Sequence, residues 1–99
     1  MSYTTGSTIY QQVISVDESN IAVSGATFDT ILFFNGASSA IPVNVSEMDP
    51  TRGIFTASFT PTLNGVYQLY MKNNITATIF LSELYNVSDA SSFEVFVGL

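Results

Sequence analysis

From Ile54 onward the chain alternates: Phe55, Ala57 and Phe59 fall on one set of positions, and Thr56, Ser58 and Thr60 on the other. A period of two sends the first set to a core face and the second to the opposite face of a strand. The corner Pro61-Thr62-Leu63-Asn64-Gly65 breaks the pattern, and Val66–Lys72 resumes it, with Tyr67, Leu69 and Met71 on one face and Gln68, Tyr70 and Lys72 on the other. Ile41–Glu47 also alternates, with Ile41, Val43 and Val45 against Pro42, Asn44 and Ser46, and Pro42 puts it at a sheet edge or a strand start. Thr8–Val16, a short Ile21–Val23, Ala26–Phe34, Ile75–Leu81 and Phe93–Val97 complete the expected strands. Turns are expected at Asp17–Asn20, Ser24-Gly25, Asn35-Gly36 with a loop running on through Ala37–Ser39, Met48–Gly53 and Asn73-Asn74. Ser82–Ser92 reads as a loop or a short helical turn, and residues 1–7, small and polar, as a flexible N-terminal arm.

These elements make one all-β domain over residues 8–99, with no helical periodicity, internal repeat or linker. Its expected core is Ile31, Phe33, Phe55, Phe59, Tyr67, Leu69 and Met71. The run Ala26–Phe34 is apolar on both faces, so Phe28, Leu32 and Phe34 compete with Ile31 and Phe33 for the inward side.

Composition sharpens this picture. Of 99 residues, 46% are hydrophobic but only 10% are charged, against about 25% in an ordinary soluble domain. The outer positions are therefore Ser, Thr, Asn or apolar side chains, and large apolar patches on a surface mark contacts. Net charge is −6, with Arg52 and Lys72 the basic residues. Two cations cannot make a phosphate-binding surface or hold an anionic membrane, so neither nucleic acid nor lipid is an expected partner. The apolar runs are also far shorter than the ~20 residues a membrane-spanning helix needs.

The start, Met1-Ser2-Tyr3-Thr4-Thr5-Gly6-Ser7, has neither the basic end nor the apolar core of a secretion signal, and reads as the beginning of a small cytoplasmically made product. Three sequons, at Asn44, Asn74 and Asn86, follow from the abundance of Asn, Ser and Thr.

Catalysis finds little material. The absence of His removes the commonest general base and any Ser–His–Asp triad, and the absence of Cys removes thiolate chemistry, the usual zinc sites and disulfides. The carboxylates Asp17, Glu18, Asp29, Glu47, Asp49, Glu83, Asp89 and Glu94 fall mostly in turns or on outward positions, and their spacing matches no calcium loop. No catalytic, metal or cofactor residue is expected, and the chain reads as a non-enzyme.

The stretch Gly53–Tyr67, GIFTASFTPTLNGVY, resembles the corner between the fifth and sixth strands of bacterial and bacteriophage immunoglobulin-like domains. Tyr67 matches the tyrosine-corner position, Leu69 stands where disulfide-bearing members carry a cysteine, and no Trp is present. The resemblance implies a cysteine-free immunoglobulin-like β-sandwich of about seven or eight antiparallel strands. It further implies a virion structural protein made in the host cytoplasm: a capsid decoration (cement) protein on the outer shell of a phage head, or else a tail, neck or fibre component. Its partners would be other virion proteins such as the major capsid protein, and possibly itself. The rival reading is a carbohydrate-binding or host-adhesion module using exposed tyrosines. Candidate contacts are Tyr3, Ile9, Tyr70, Leu84 and Tyr85, on the arm, one strand and the loop after Leu81.

Overall fold

The computed structural model describes residues 2–89, so the strand expected over Phe93–Val97 lies outside them. Those residues form nine strands in two sheets and no helix: β1 (Ser2–Thr4), β2 (Ile9–Ile14), β3 (Phe28–Phe34), β4 (Ala37–Ser38), β5 (Asn44–Asp49), β6 (Ile54–Phe59), β7 (Gly65–Asn73), β8 (Ile79–Leu81) and β9 (Tyr85–Ser88). The larger sheet runs β1-β9-β7-β3-β4, and β8 pairs with β7 beyond β9; the smaller runs β2-β6-β5. β1 lies parallel to β9, and every other strand pair is antiparallel.

The period of two closes the core. Ile9 and Val13 of β2 and Phe55, Ala57 and Phe59 of β6 face Leu32 of β3, Tyr67, Leu69 and Met71 of β7, and Tyr85 and Val87 of β9. Rings join the two layers: Phe28 meets Phe55 at 5.1 Å between centroids, and Phe59 meets Tyr67 at 5.9 Å and Tyr85 at 5.6 Å. Each such side chain stabilises the fold by about 1.5–3 kcal/mol through burial.

At the corner before β7 the Tyr67 hydroxyl donates to the Leu63 carbonyl at 3.0 Å and accepts from the Leu63 amide at 3.3 Å. One side chain thus satisfies both backbone groups of a residue outside any ladder. Gly53, at φ 69°, lets the turn before β6 approach β2: Ser15 N–H donates to its carbonyl at 2.6 Å, and an added Cβ would overlap the Ser15 carbonyl oxygen.

Several elements differ from expectation. Ile31 and Phe33 do not face the core: residues opposite one another across a ladder share a face, and β7 sets β3 with Leu32 opposite buried Leu69, Ile31 opposite Tyr70 and Phe33 opposite Gln68. Phe28, Leu32 and Phe34 pack inward instead. Residues 2–4 are not an arm but strand β1, held as Thr5 N–H donates to Ser88 O at 3.1 Å and Gly6 N–H to Pro61 O at 2.8 Å. Asn35 and Gly36 alone make the hairpin turn, at φ 49° and 85°, so Ala37-Ser38 pair as β4 rather than extend the loop. Ile21–Val23 contributes a single bridge, Val16 to Ala22. The strand expected from Ile41 begins at Asn44, and the one expected from Ile75 begins at Ile79. The Ser82–Ser92 loop contains strand β9.

Candidate interaction face

Once β3 is registered against β7, the outward residues of the larger sheet fall into rows. Phe33 lies beside Gln68, Ile31 beside Tyr70 and then Leu81, and Asp29 beside Lys72 and then Ile79. Val66, Gln68 and Tyr70 are half-buried, while Ile31 is 39% exposed, Leu81 and Leu84 57% and Ile79 62%. Phe33, Val66, Gln68, Tyr70, Leu81 and Leu84 surround a shallow depression of about 480 Å³. Apolar side chains thus run continuously across three strands, with Asp29 and Lys72 at one end.

Leu84 reaches this face because the strand edge along β7 is interrupted after β8. Ser82 bridges the break: its N–H donates to Leu69 O at 2.9 Å, its Oγ accepts from Leu69 N–H at 2.9 Å and donates to Glu83 O at 2.7 Å, and its carbonyl accepts from Gln68 Nε2 at 2.9 Å. A buried hydroxyl stands in for a missing ladder carbonyl, and the following residues bulge outward.

The opposite surface differs. On the smaller sheet the outward rows are Tyr10-Ser58-Asn44, Gln12-Thr56-Ser46 and Ile14-Ile54-Asp49. Its middle is hydroxyls and amides, with Tyr10 and Ile14 exposed along one strand.

Of the candidate contacts, Tyr70 and Leu84 come together on the apolar face. Ile9 and Tyr85 are not available as contacts. Both are buried core residues, Ile9 because it pairs opposite Phe59, Tyr85 because β9 turns it inward opposite Tyr67. Tyr3 is half-buried and packs edge-on to Tyr85 at 5.5 Å. Ile31, Phe33, Val66, Ile79 and Leu81 belong to the face, though reading the chain element by element overlooked them as contacts. Their signal was the second apolar set in a strand whose first set already filled the core.

The Tyr85 hydroxyl donates to Gln11 Oε1 at 2.6 Å from one sheet to the other. Burial raises its pKa above the ordinary 10.0, and the negative charges available to Tyr3 and Glu83 add to this, with Ser82 in partial opposition. The other polar interior is Asn73 with Ser15: Asn73 Nδ2 donates to Ser15 Oγ at 2.8 Å, and Asn73 Oδ1 accepts from the amides of Ile75 and Thr76 at 2.9 and 3.1 Å. These are structural bonds that pin the turn after β7. Among the described residues no group of three His, Cys, Asp or Glu gathers as a metal site, and no helix is long and apolar enough to cross a membrane.

Compared with known proteins, the chain matches no protein-family model, no curated protein and no solved structure.

Proposed function

We propose that this chain is a non-enzymatic virion structural protein, an immunoglobulin-like module that seats on the outer shell of a phage head through the outward face of its larger sheet. The observation that carries the docking role is the contrast between the two outer faces. Ile31, Phe33, Tyr70, Leu81 and Leu84 form an apolar surface on one side, whereas the other side has a polar centre. Covering such a patch releases about 25 cal/mol per Å² of apolar area, and a patch of this kind in so weakly charged a chain fits a subunit that works against a neighbour.

The immunoglobulin-like reading draws support from strand order and from the corner. β2-β6-β5 opposed by β9-β7-β3-β4 has the B-E-D and G-F-C-C′ arrangement of that fold, and Tyr67 bonds back to Leu63 as a tyrosine corner does. The virion context rests on the resemblance of Gly53–Tyr67. Net acidity favours the outer side of a shell over contact with packaged DNA. For the adhesion reading, the neighbouring aromatics on one face are Phe33 and Tyr70, since Tyr3 and Tyr85 turn toward the core and Tyr10 lies on the other sheet.

The test is co-sedimentation with capsids that lack this chain. Saturable binding at a fixed ratio, lost in Leu81→Lys and Ile31→Lys while thermal stability holds, is the expected result. A chain that ignores capsids and binds polysaccharide would overturn the proposal in favour of adhesion.

A further inference from the structure

Open strand edges invite pairing with another chain, and natural sheets blunt them by shortness, charge, proline or a bulge. Here β1, β4 and β8 are two or three residues long. β5 carries Glu47 and Asp49, a register shift between them, and Pro50 directly after. β2 has none of these devices. Its six residues, Ile9-Tyr10-Gln11-Gln12-Val13-Ile14, contain no charge, no proline and no bulge, and among the described residues β2 pairs with β6 alone. The Gln12 carbonyl takes a hydrogen bond from the Gln11 side-chain amide at 3.0 Å, a local substitute for a strand partner.

The outward residues of β2 are also symmetric. Tyr10 and Ile14, 70% and 62% exposed, stand two positions either side of Gln12, on a face whose neighbouring row is otherwise Thr56 and Ser58. We propose that two copies of this chain pair antiparallel through β2 about a twofold axis at Gln12, joining their smaller sheets into one. That register sets Tyr10 of each copy opposite Ile14 of the other, an aromatic with a β-branched side chain, the favourable kind of cross-strand pair. Gln12 meets its own counterpart, amide to amide. A twofold contact needs a patch complementary to itself, and β2 supplies one. The charge pattern selects the same strand: a chain of net charge −6 repels its copies, and β2 with its β6 neighbours Ile54, Thr56 and Ser58 is an uncharged stretch where two copies can approach. This interface lies on the other sheet from the docking face and does not depend on it.

The test uses the full chain. Sedimentation equilibrium should find a concentration-dependent dimer, and Gln12→Lys, which sets two like charges on the axis, should weaken it about tenfold or more without lowering thermal stability. Because the chain has no cysteine, Gln12→Cys can form a disulfide only between copies. Opposed Cα atoms in a hydrogen-bonded antiparallel pair lie about 5.5 Å apart, within disulfide reach. It should therefore crosslink at least about tenfold faster than Ser46→Cys on β5. A monomer at every concentration, equal crosslinking rates, or a dimer that survives Gln12→Lys and dissociates with Leu81→Lys would each overturn the proposal. So would a monomer in which the β2 amides that do not bond to β6 resist hydrogen exchange.

Discussion

Tyr85 is the side chain in which the packing and electrostatics of this molecule meet. Its ring is held between Tyr3 and Phe59 at 5.5 and 5.6 Å, while its hydroxyl reaches from one layer to Gln11 of the other at 2.6 Å. A tyrosinate there would lose hydration and lie near Glu83, which is why the pKa stands above 10.0. The fold binds the neutral phenol and disfavours the anion. Its contribution to stability is therefore complete below the unfolded pKa and disappears as pH rises through the higher folded value. Urea melts across the alkaline range should show the native chain more stable than Tyr85→Phe near neutrality, with the difference shrinking as pH climbs past 10.0. A constant difference would mean that the hydroxyl ionises at the same pH folded and unfolded, so that neither burial nor the bond to Gln11 disfavours the anion.

Among the elements, β6 and β7 were the most legible in the chain, because each alternates cleanly and only one face can be buried. β3 was not. Its residues from Ile31 to Phe34 are apolar on both faces, so local pattern cannot choose between Ile31-Phe33 and Leu32-Phe34. The choice is made 37 residues further along the chain by Leu69, which sits opposite Leu32. β1 and β9 were missed because short polar-flanked segments such as Ser2–Thr4 and Tyr85–Ser88 acquire strand geometry only from each other and from β7. The candidate face depends on the same register, because Ile31 and Phe33 turn outward only when Leu32 is set opposite Leu69. Ser82 gave no signal at all, since a serine patching a ladder looks like any loop serine. Ser82→Ala would leave the buried Leu69 amide without its acceptor, at a cost of about 1–3 kcal/mol. Urea melts measure that loss, and hydrogen exchange should show it concentrated where β7 meets β8. A loss near zero would mean that water replaces the hydroxyl.

At the scale of the whole molecule, the two sheets present surfaces of different kinds, and this separates the two proposed contacts. In the proposed contacts the larger sheet docks by its face, through Ile31, Tyr70, Leu81 and Leu84, and the smaller pairs by its edge, along β2. The interior between them contains Leu69, Met71, Phe55 and Phe59 and, among the described residues, no buried charged side chain; the polar link nearest both contacts is Tyr85 to Gln11, which donates in turn to the Gln12 carbonyl. Leu81 and Gln12 lie on different sheets and have different ladder partners, Tyr70 and Thr56, and substitutions without a shared partner are expected to act additively. Leu81→Lys should therefore abolish shell binding and leave the dimer intact, Gln12→Lys should dissociate the dimer and leave each monomer able to bind the shell, and the double variant should show both losses. Sedimentation of each variant, alone and with capsids, checks this. If Gln12→Lys also abolished shell binding, the shell would be recognising the dimer rather than the single chain, and the binding ratio would then have to be counted in pairs.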